Sequence, residues 1–303
     1  MRVLITGGYG FLGRNTAREF KEGGYEVFGM GHGKWYIDEY SKWGFDEWFE
    51  TTITFEALLN INKRFDLIIH CGGSGSVGFS HENPFEDFQK SVLSTLALLE
   101  YIRLQNPDCK FIYPSSPAVQ GNLGNLPIQE DVSSTPVSSY GFHKKIAEEL
   151  CLSYHKNFKI EIGIIRFFSI YGPGLKKQLL WDACRKIHQS DEVVFFGTGS
   201  ETRDWIHVSD AASLLYRLSK DFTGYQVVNG GSGITTKIEE VISLVCKYFE
   251  KPVNIKFNGQ VKEGDPIYYW ADNSKALNIG WRPKIGIEEG IKEYVAYFNG
   301  LSI

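Results

Sequence analysis

Apolar residues along this chain fall into short runs separated by longer amphipathic stretches, the pattern of strands alternating with helices. Val3-Leu4-Ile5 is the first run, and Tyr25 to Met30 holds the second. Phe65 to His70, Lys110 to Tyr113 and Ile160 to Phe168 follow, the last interrupted by Arg166. Nearly continuous runs of this length suit strands covered on both faces. Between them the spacing predicts helices. One runs from Phe11 to Glu22, with Leu12 and Phe20 facing the sheet and Gly23-Gly24 stopping it. Another spans Pro84 to Gln105, carrying Phe88, Val92, Leu96 and Leu99 on one face, with Pro107 beyond its end. A third starts at Ser138, a good N-cap. This alternation predicts an α/β fold with a doubly wound parallel sheet. After Tyr171-Gly172-Pro173-Gly174 it becomes irregular, which predicts a smaller C-terminal lobe. The expected division is 1–170 plus a return segment near 204–230 for the sheet lobe, and 171–203 with 231–303 for the smaller one.

The first strand leads into Thr6-Gly7-Gly8-Tyr9-Gly10-Phe11-Leu12-Gly13, with Gly7, Gly10 and Gly13 at G-x-x-G-x-x-G spacing. Glycine permits a tight turn and lets backbone N–H groups approach a pyrophosphate, while the next helix points its positive end at that anion. Set between a strand and a helix, the turn reads as a dinucleotide site of the Rossmann kind. In such a unit an acid at the tip of the second strand accepts from the ribose 2′-OH. Here the tip is Gly31-His32-Gly33-Lys34, and the first acid is Asp38. Of NAD and NADP this favours NADP, with His32 and Lys34 as phosphate partners. The aromatic stretch from 35 to 55 reads as packing under a loop. Cys71-Gly72-Gly73-Ser74-Gly75-Ser76 ends a strand, where open α/β sheets bind ligands.

Composition narrows the partners. Lys plus Arg number 32 against 36 Asp plus Glu, a net charge of −4 with no basic stripe, which argues against nucleic acid. At 43% hydrophobic the chain has enough apolar residues for a core. Its five scattered cysteines include no C-x-x-C pair, no metal site is expected, and reduced thiols suit a cytoplasmic setting. No apolar run is long enough to span a bilayer, and the N-terminus already reads as a strand.

Tyr140 and Lys144 lie four residues apart, on one helical face. A free phenol titrates near ~10, and an adjacent ammonium favours its ionised form. Such a tyrosine exchanges a proton with a hydroxyl while hydride leaves the carbon. Ser116, at the end of another strand, is placed to orient the reacting oxygen. With the glycine turn, this set resembles the short-chain dehydrogenase/reductase superfamily, specifically its extended branch of nucleotide-sugar epimerases and dehydratases. Arg166-Phe167-Phe168-Ser169-Ile170-Tyr171-Gly172-Pro173-Gly174 resembles the branch's R-[FY]-F-N-x-Y-G-P-G segment. Thr202-Arg203-Asp204-Trp205-Ile206-His207-Val208-Ser209-Asp210 resembles T-R-D-[FY]-I-H-V-x-D. Gly264-Asp265-Pro266 and Gly280-Trp281-Arg282-Pro283 are similar to its C-terminal signatures.

The resemblance implies a role for each matching residue. Gly7, Gly10, Phe11, Leu12 and Gly13 would meet the pyrophosphate, Thr52 and Ile53 the adenine, and Gly72 and Gly73 the ribose and pyrophosphate. Ser91, standing where an Asn is common, would join the cofactor-binding set. Tyr140 would be the acid/base, Lys144 would also hold the nicotinamide ribose, and Phe167 would lie by the nicotinamide. On the substrate side fall Ser76, Ser116, Ser169, Gln178, Arg203, Lys262 and Asp265, with Arg203 on a diphosphate. The implied activity is hydride transfer at C4 of a nucleotide-diphosphate sugar, by a 4-epimerase or a 4-keto reductase/4-dehydrogenase. Pro117 and Ala118 replace the acids that follow the catalytic Ser or Thr in 4,6-dehydratases, so no dehydratase activity is expected. Gln120 stands where a Tyr is usual and has no functional reading. Helices near 85–105 and 139–156 would pair two copies as a homodimer. The alternative is a non-catalytic NAD(P)-binding regulatory or structural protein; the joint presence of Ser116, Tyr140 and Lys144 disfavours it.

Overall fold

The computed structural model describes residues 1–132, 135–260 and 267–301. In chain order its strands are β1 (Arg2–Thr6), β2 (Glu26–Gly31), β3 (Glu47–Glu50), β4 (Leu67–His70), β5 (Lys110–Ser115), β6 (Ile162–Phe167), β7 (Ser169–Tyr171), β8 (Glu192–Phe195), β9 (Thr202–His207), β10 (Tyr225–Gly230), β11 (Thr235–Lys237) and β12 (Asn254–Phe257). Seven form one sheet, ordered β10-β6-β5-β4-β1-β2-β3, with every pair parallel. This is the expected doubly wound sheet. The chain winds one way from β1 through β3 and returns to β4 on the other side of β1. Such a reversal leaves a crevice beyond the carboxyl ends of β1 and β4.

The period-two alternation of a strand supplies both faces with apolar side chains. Val3, Ile5, Ile69 and Ile112 meet Ala17, Phe20, Leu214, Leu215 and Leu218 on one side. Leu4, Ile68, Phe111 and Ile162 meet Leu98, Leu99, Ile102, Ala147 and Cys151 on the other. A third core lies around Leu180, Cys184, Val241, Val245, Tyr294 and Phe298. Beside it run a sheet of β11, β9 and β7 and a parallel pair of β12 and β8.

The helix expected from Pro84 to Gln105 differs in detail. It is α-helical over Pro84–Phe88 and Ser94–Gln105, with a wide π turn over Gln89–Leu93 between them. The local cause is visible: Ser94 Oγ donates to the Lys90 carbonyl at 2.6 Å and Thr95 Oγ1 to that of Ser91 at 2.6 Å. Hydroxyls that bond back to carbonyls four residues earlier compete with the regular ladder.

Arg166, the polar break in β6, is only 8% exposed. Its Nε and Nη2 donate to Glu148 at 3.0 and 2.7 Å, and Nη1 donates to the Glu130 carbonyl at 2.7 Å. Ser115 Oγ donates to Glu148 at 2.6 Å, and the Asn229 N–H donates to the Glu130 carboxylate at 2.8 Å. One guanidinium thus ties the helix Ser139–Phe158 to β5, β6, β10 and the segment before that helix. Removing one partner strands a buried charge, which costs far more than removing both. Arg166→Met should destabilise the protein by about 3–5 kcal/mol in urea unfolding, and adding Glu148→Met should recover part of that loss.

Candidate active site

The ends of β1, β4, β5 and β6 open on one cleft of about 680 Å³. Gly7 shapes its floor. It holds φ +66°, and a Cβ there would stand 2.6 Å from the backbone of Cys71 and Gly72, so only glycine lets β1 and β4 end this close together. A Cβ on Gly13 would stand 2.4 Å from the Gly7 carbonyl. The helix Phe11–Glu22 begins with no side-chain cap and no acid in its first turn. Its first N–H groups therefore present a positive end beside Gly10, Phe11, Leu12 and Gly13, which line the cleft. This cradle fits a dinucleotide pyrophosphate. Gly72 and Gly73 line it too.

His70 braces the same corner. It is fully buried, bonded to Thr6 Oγ1 at 2.7 Å and Ser94 Oγ at 2.9 Å, and burial drives its pKa down to about 3. It is a neutral link between β1, β4 and the helix Ser94–Gln105.

Ser116, Tyr140 and Lys144 meet on the cleft wall. Ser138 Oγ caps the helix Ser139–Phe158 by accepting from the Gly141 N–H at 3.2 Å. A Cβ on Gly141 would stand 2.5 Å from the Ala118 carbonyl, so glycine lets this helix start close against the turn that follows Ser116. Tyr140 keeps part of its ring open to the cleft, yet the protein around it pushes the phenol pKa up to about 12. Hydrogen bonding to Ser116 opposes that shift, and the Asp87 charge adds to it. Lys144 is 5% exposed; its Nζ donates to the Pro114 carbonyl at 2.9 Å and lies 4.5 Å from the Tyr113 ring centre. Burial lowers its pKa to about 8, against the pull of Asp87, so it stays a cation at neutral pH. Desolvation dominates the phenol, and the ammonium one helical turn away is engaged by Pro114 and Tyr113.

The other expected residues divide. Phe167, Ser76, Ser169, Gln178 and Arg203 line the cleft; Ser76 also caps the helix Val77–Glu82. Ser91 lies behind the wall, 1% exposed in the π turn, its Oγ unbonded and 3.3 Å from where a Gly73 Cβ would stand. Ile53 packs beside Gly72, and Thr52 is exposed. His32 and Lys34 are exposed at the β2 tip, away from the lining, with Lys34 Nζ 4.0 Å from Glu50. Lys262 and Asp265, with the Gly264-Asp265-Pro266 match, lie outside the described residues. Two lining residues went unread in the sequence. Tyr269 places its phenol beside Ser116, where burial raises its pKa and the bond to Ser116 opposes the rise. Lys177 precedes Gln178. Among the described residues the lining holds Lys144, Lys177 and Arg203 and no Asp or Glu.

The glycine turn on a doubly wound sheet, with Ser116, Tyr140 and Lys144 gathered at one cleft, defines an extended short-chain dehydrogenase/reductase. The chain belongs to the NAD dependent epimerase/dehydratase family, whose model matches residues 3–231. The UDP-glucuronate 4-epimerase of Thermodesulfobacterium geofontis is 28% identical over 308 residues, covering 96% of this chain and 94% of the relative. A tyrosine-to-phenylalanine variant of the UDP-glucuronic acid 4-epimerase of Bacillus cereus, solved with UDP-4-deoxy-4-fluoro-glucuronic acid and NAD, superposes with a TM-score of 0.89 at 25% identity over 99% of both chains. The UDP-glucose 4-epimerase of Thermotoga maritima, solved with UDP-glucose, gives a TM-score of 0.90 at 24% identity over 99% of both, a likeness that speaks for the fold.

Proposed function

We propose that this protein is an NAD(P)-dependent 4-epimerase of a UDP-sugar. The carrying observation is the meeting of Ser116, Tyr140 and Lys144 in a cleft lined by cations, in a chain alike over nearly its full length to a UDP-glucuronate 4-epimerase. Two diphosphate ligands suit such a lining. The dinucleotide would lie in 1–170 and 204–230, where Gly7, Gly10, Phe11, Leu12, Gly13, Gly72, Gly73 and Phe167 would hold it. The sugar nucleotide would lie toward 171–203 and 231–303, with Ser76, Ser169, Gln178 and Arg203 as its partners among the described residues. When bound, the nicotinamide supplies the acceptor and donor of hydride at C4.

The chain's own residues handle the proton. Ser116 orients the C4 oxygen, and Tyr140 takes its proton and later returns it. A phenol driven up to about 12 is a poor base, so a positive charge brought by a ligand is needed to lower it. Lys144, a cation that donates to the Pro114 carbonyl, would hold a ribose hydroxyl of the dinucleotide. Beside Ser116 stand Pro117, which is buried, and Ala118, which faces the cleft, and neither transfers a proton. Elimination of water to a 4-keto-6-deoxy sugar is therefore not part of the reaction.

The ribose 2′ end decides between NAD and NADP. His32 and Lys34 favour a 2′-phosphate, and Glu50, 4.0 Å from Lys34 Nζ, opposes it. A homodimer follows from the apolar face formed by Phe85, Leu93, Phe142 and Ile146, all exposed on the helical pair expected to carry it.

Each part has its measurement. Proton NMR of UDP-glucuronic acid and UDP-glucose incubated with the protein and NAD should show C4 epimers and no 4-keto-6-deoxy product. Tyr140→Phe should lower that rate by about 10²-fold or more with an unchanged circular dichroism spectrum, and a near-normal rate would sink the mechanism. Glu50→Gln should shift the ratio of NADPH to NADH affinity by roughly two- to five-fold toward NADPH, the scale of an exposed charge. Sedimentation velocity at micromolar concentration should give a dimer that Phe142→Glu dissociates; a wild-type monomer would refute the interface.

A further inference from the structure

We infer that Lys177 is a diphosphate-binding residue, whose ammonium crosses the cleft to hold a phosphate oxygen of a bound nucleotide. The inference rests on the proposed nucleotide-sugar reading and adds a cation that the family's motifs do not supply. Lys177 stands just before the helix Gln178–Gln189, on the wall formed by Ser169, Leu175 and Leu179. Its Nζ ends on the opposite wall, 3.7 Å from where a Cβ on Gly75 would stand, in the loop after β4. That loop also carries Gly72 and Gly73, so the ammonium lies where the dinucleotide and substrate ends of the cleft adjoin.

The other cations of the lining are already engaged. Lys144 donates to the Pro114 carbonyl, and Arg203 Nη1 donates to the Thr202 carbonyl at 2.8 Å. Among the described residues, no carboxylate, carbonyl or ring pairs with the Lys177 ammonium. Desolvation lowers its pKa with no acid to offset it. A lysine normally keeps its head in bulk water while its stem covers apolar surface. Lys177, itself an exposed residue, does so while its stem crosses a cleft whose described lining holds no acid. Gln178, next in the chain, holds φ +66°, the left-handed region that is unfavourable for a non-glycine residue. That turn brings both side chains to the cleft wall. An ammonium is a compact charge with rotatable donors, suited to the diffuse charge of a diphosphate.

Two diphosphates are candidates, and separate titrations distinguish them. UDP is titrated by calorimetry and NADH by fluorescence, at low salt, into wild-type protein, Lys177→Gln, Lys177→Arg and the control Lys186→Gln on the same helix. Lys177→Gln should weaken one ligand by about ten-fold or more, Lys177→Arg should restore most of it, and Lys186→Gln should match wild type. Loss confined to UDP assigns the substrate diphosphate, and loss confined to NADH assigns the dinucleotide; either supports the inference. If wild type binds both ligands and Lys177→Gln binds both equally well, Lys177 has no such role while the nucleotide-sugar reading stands. If wild type binds neither, that reading fails and the inference fails with it.

Discussion

The reaction wall depends on one buried guanidinium. Arg166 holds Glu148 through two hydrogen bonds, and Glu148 lies on the helix that presents Tyr140 and Lys144. Ser115, next to Ser116, donates to the same carboxylate. The distance between Ser116 and Tyr140 is therefore set from behind, by an ion pair that touches neither. A buried pair contributes little net stability against an apolar replacement, but its directional bonds tolerate few alternatives. Here that directionality fixes where the helix sits against β5 and β6.

Burial drives three titratable groups near this wall toward their neutral forms. The phenol of Tyr140 rises to about 12, the ammonium of Lys144 falls to about 8, and the imidazole of His70 falls to about 3. Below about pH 8 Lys144 keeps its proton, and Tyr140 keeps its own throughout the neutral range. General acid–base catalysis works best when the group's pKa lies near the working pH. The protein's own surroundings hold Tyr140 far from that condition. Positive charge arriving with a ligand moves the phenol toward it, which couples proton transfer to a filled cleft.

What the sequence made legible is what depends on short spacing. The glycine turn, the capping Ser138 and the shared face of Tyr140 and Lys144 follow from neighbours a few residues apart. The sheet follows because each buried strand is a continuous apolar run. Less legible were features set by contacts between distant parts of the chain. Tyr269 reaches Ser116 only because its stretch pairs with β9, the Thr202 and Asp204 N–H groups donating to the Ile267 and Tyr269 carbonyls, and the chain-end pattern around it gives no such signal. Lys177 looks like one of a basic pair with Lys176 until the loop after β4 is seen opposite its head. The π turn over Gln89–Leu93 was hidden because Ser94 and Thr95 do not disturb the apolar spacing. Ser91 was read toward the cofactor and lies behind Gly73. A motif reports that a position is constrained, and the fold decides which side of a wall the constraint serves.

The segment from Thr202 to Asp210 makes the same point with charge. Arg203 and Asp204 are neighbours in β9, and the pleat sends them to opposite sides. Arg203 lines the cleft, while Asp204 is fully buried and accepts from the N–H groups of Ser232, Gly233 and Ala271 and from the Ser232 hydroxyl. Asp210 is likewise turned inward, accepting from the N–H groups of Lys284 and Ile285. Acids of this segment are thus spent on holding the C-terminal strands and loops together, and its cation is left facing the ligand. That separation lets a chain of net charge −4 present a cationic cleft. Exposed charges farther away than about 8 Å are largely screened at physiological salt, so the field at the ligand is set by Lys144, Lys177 and Arg203 and not by the total.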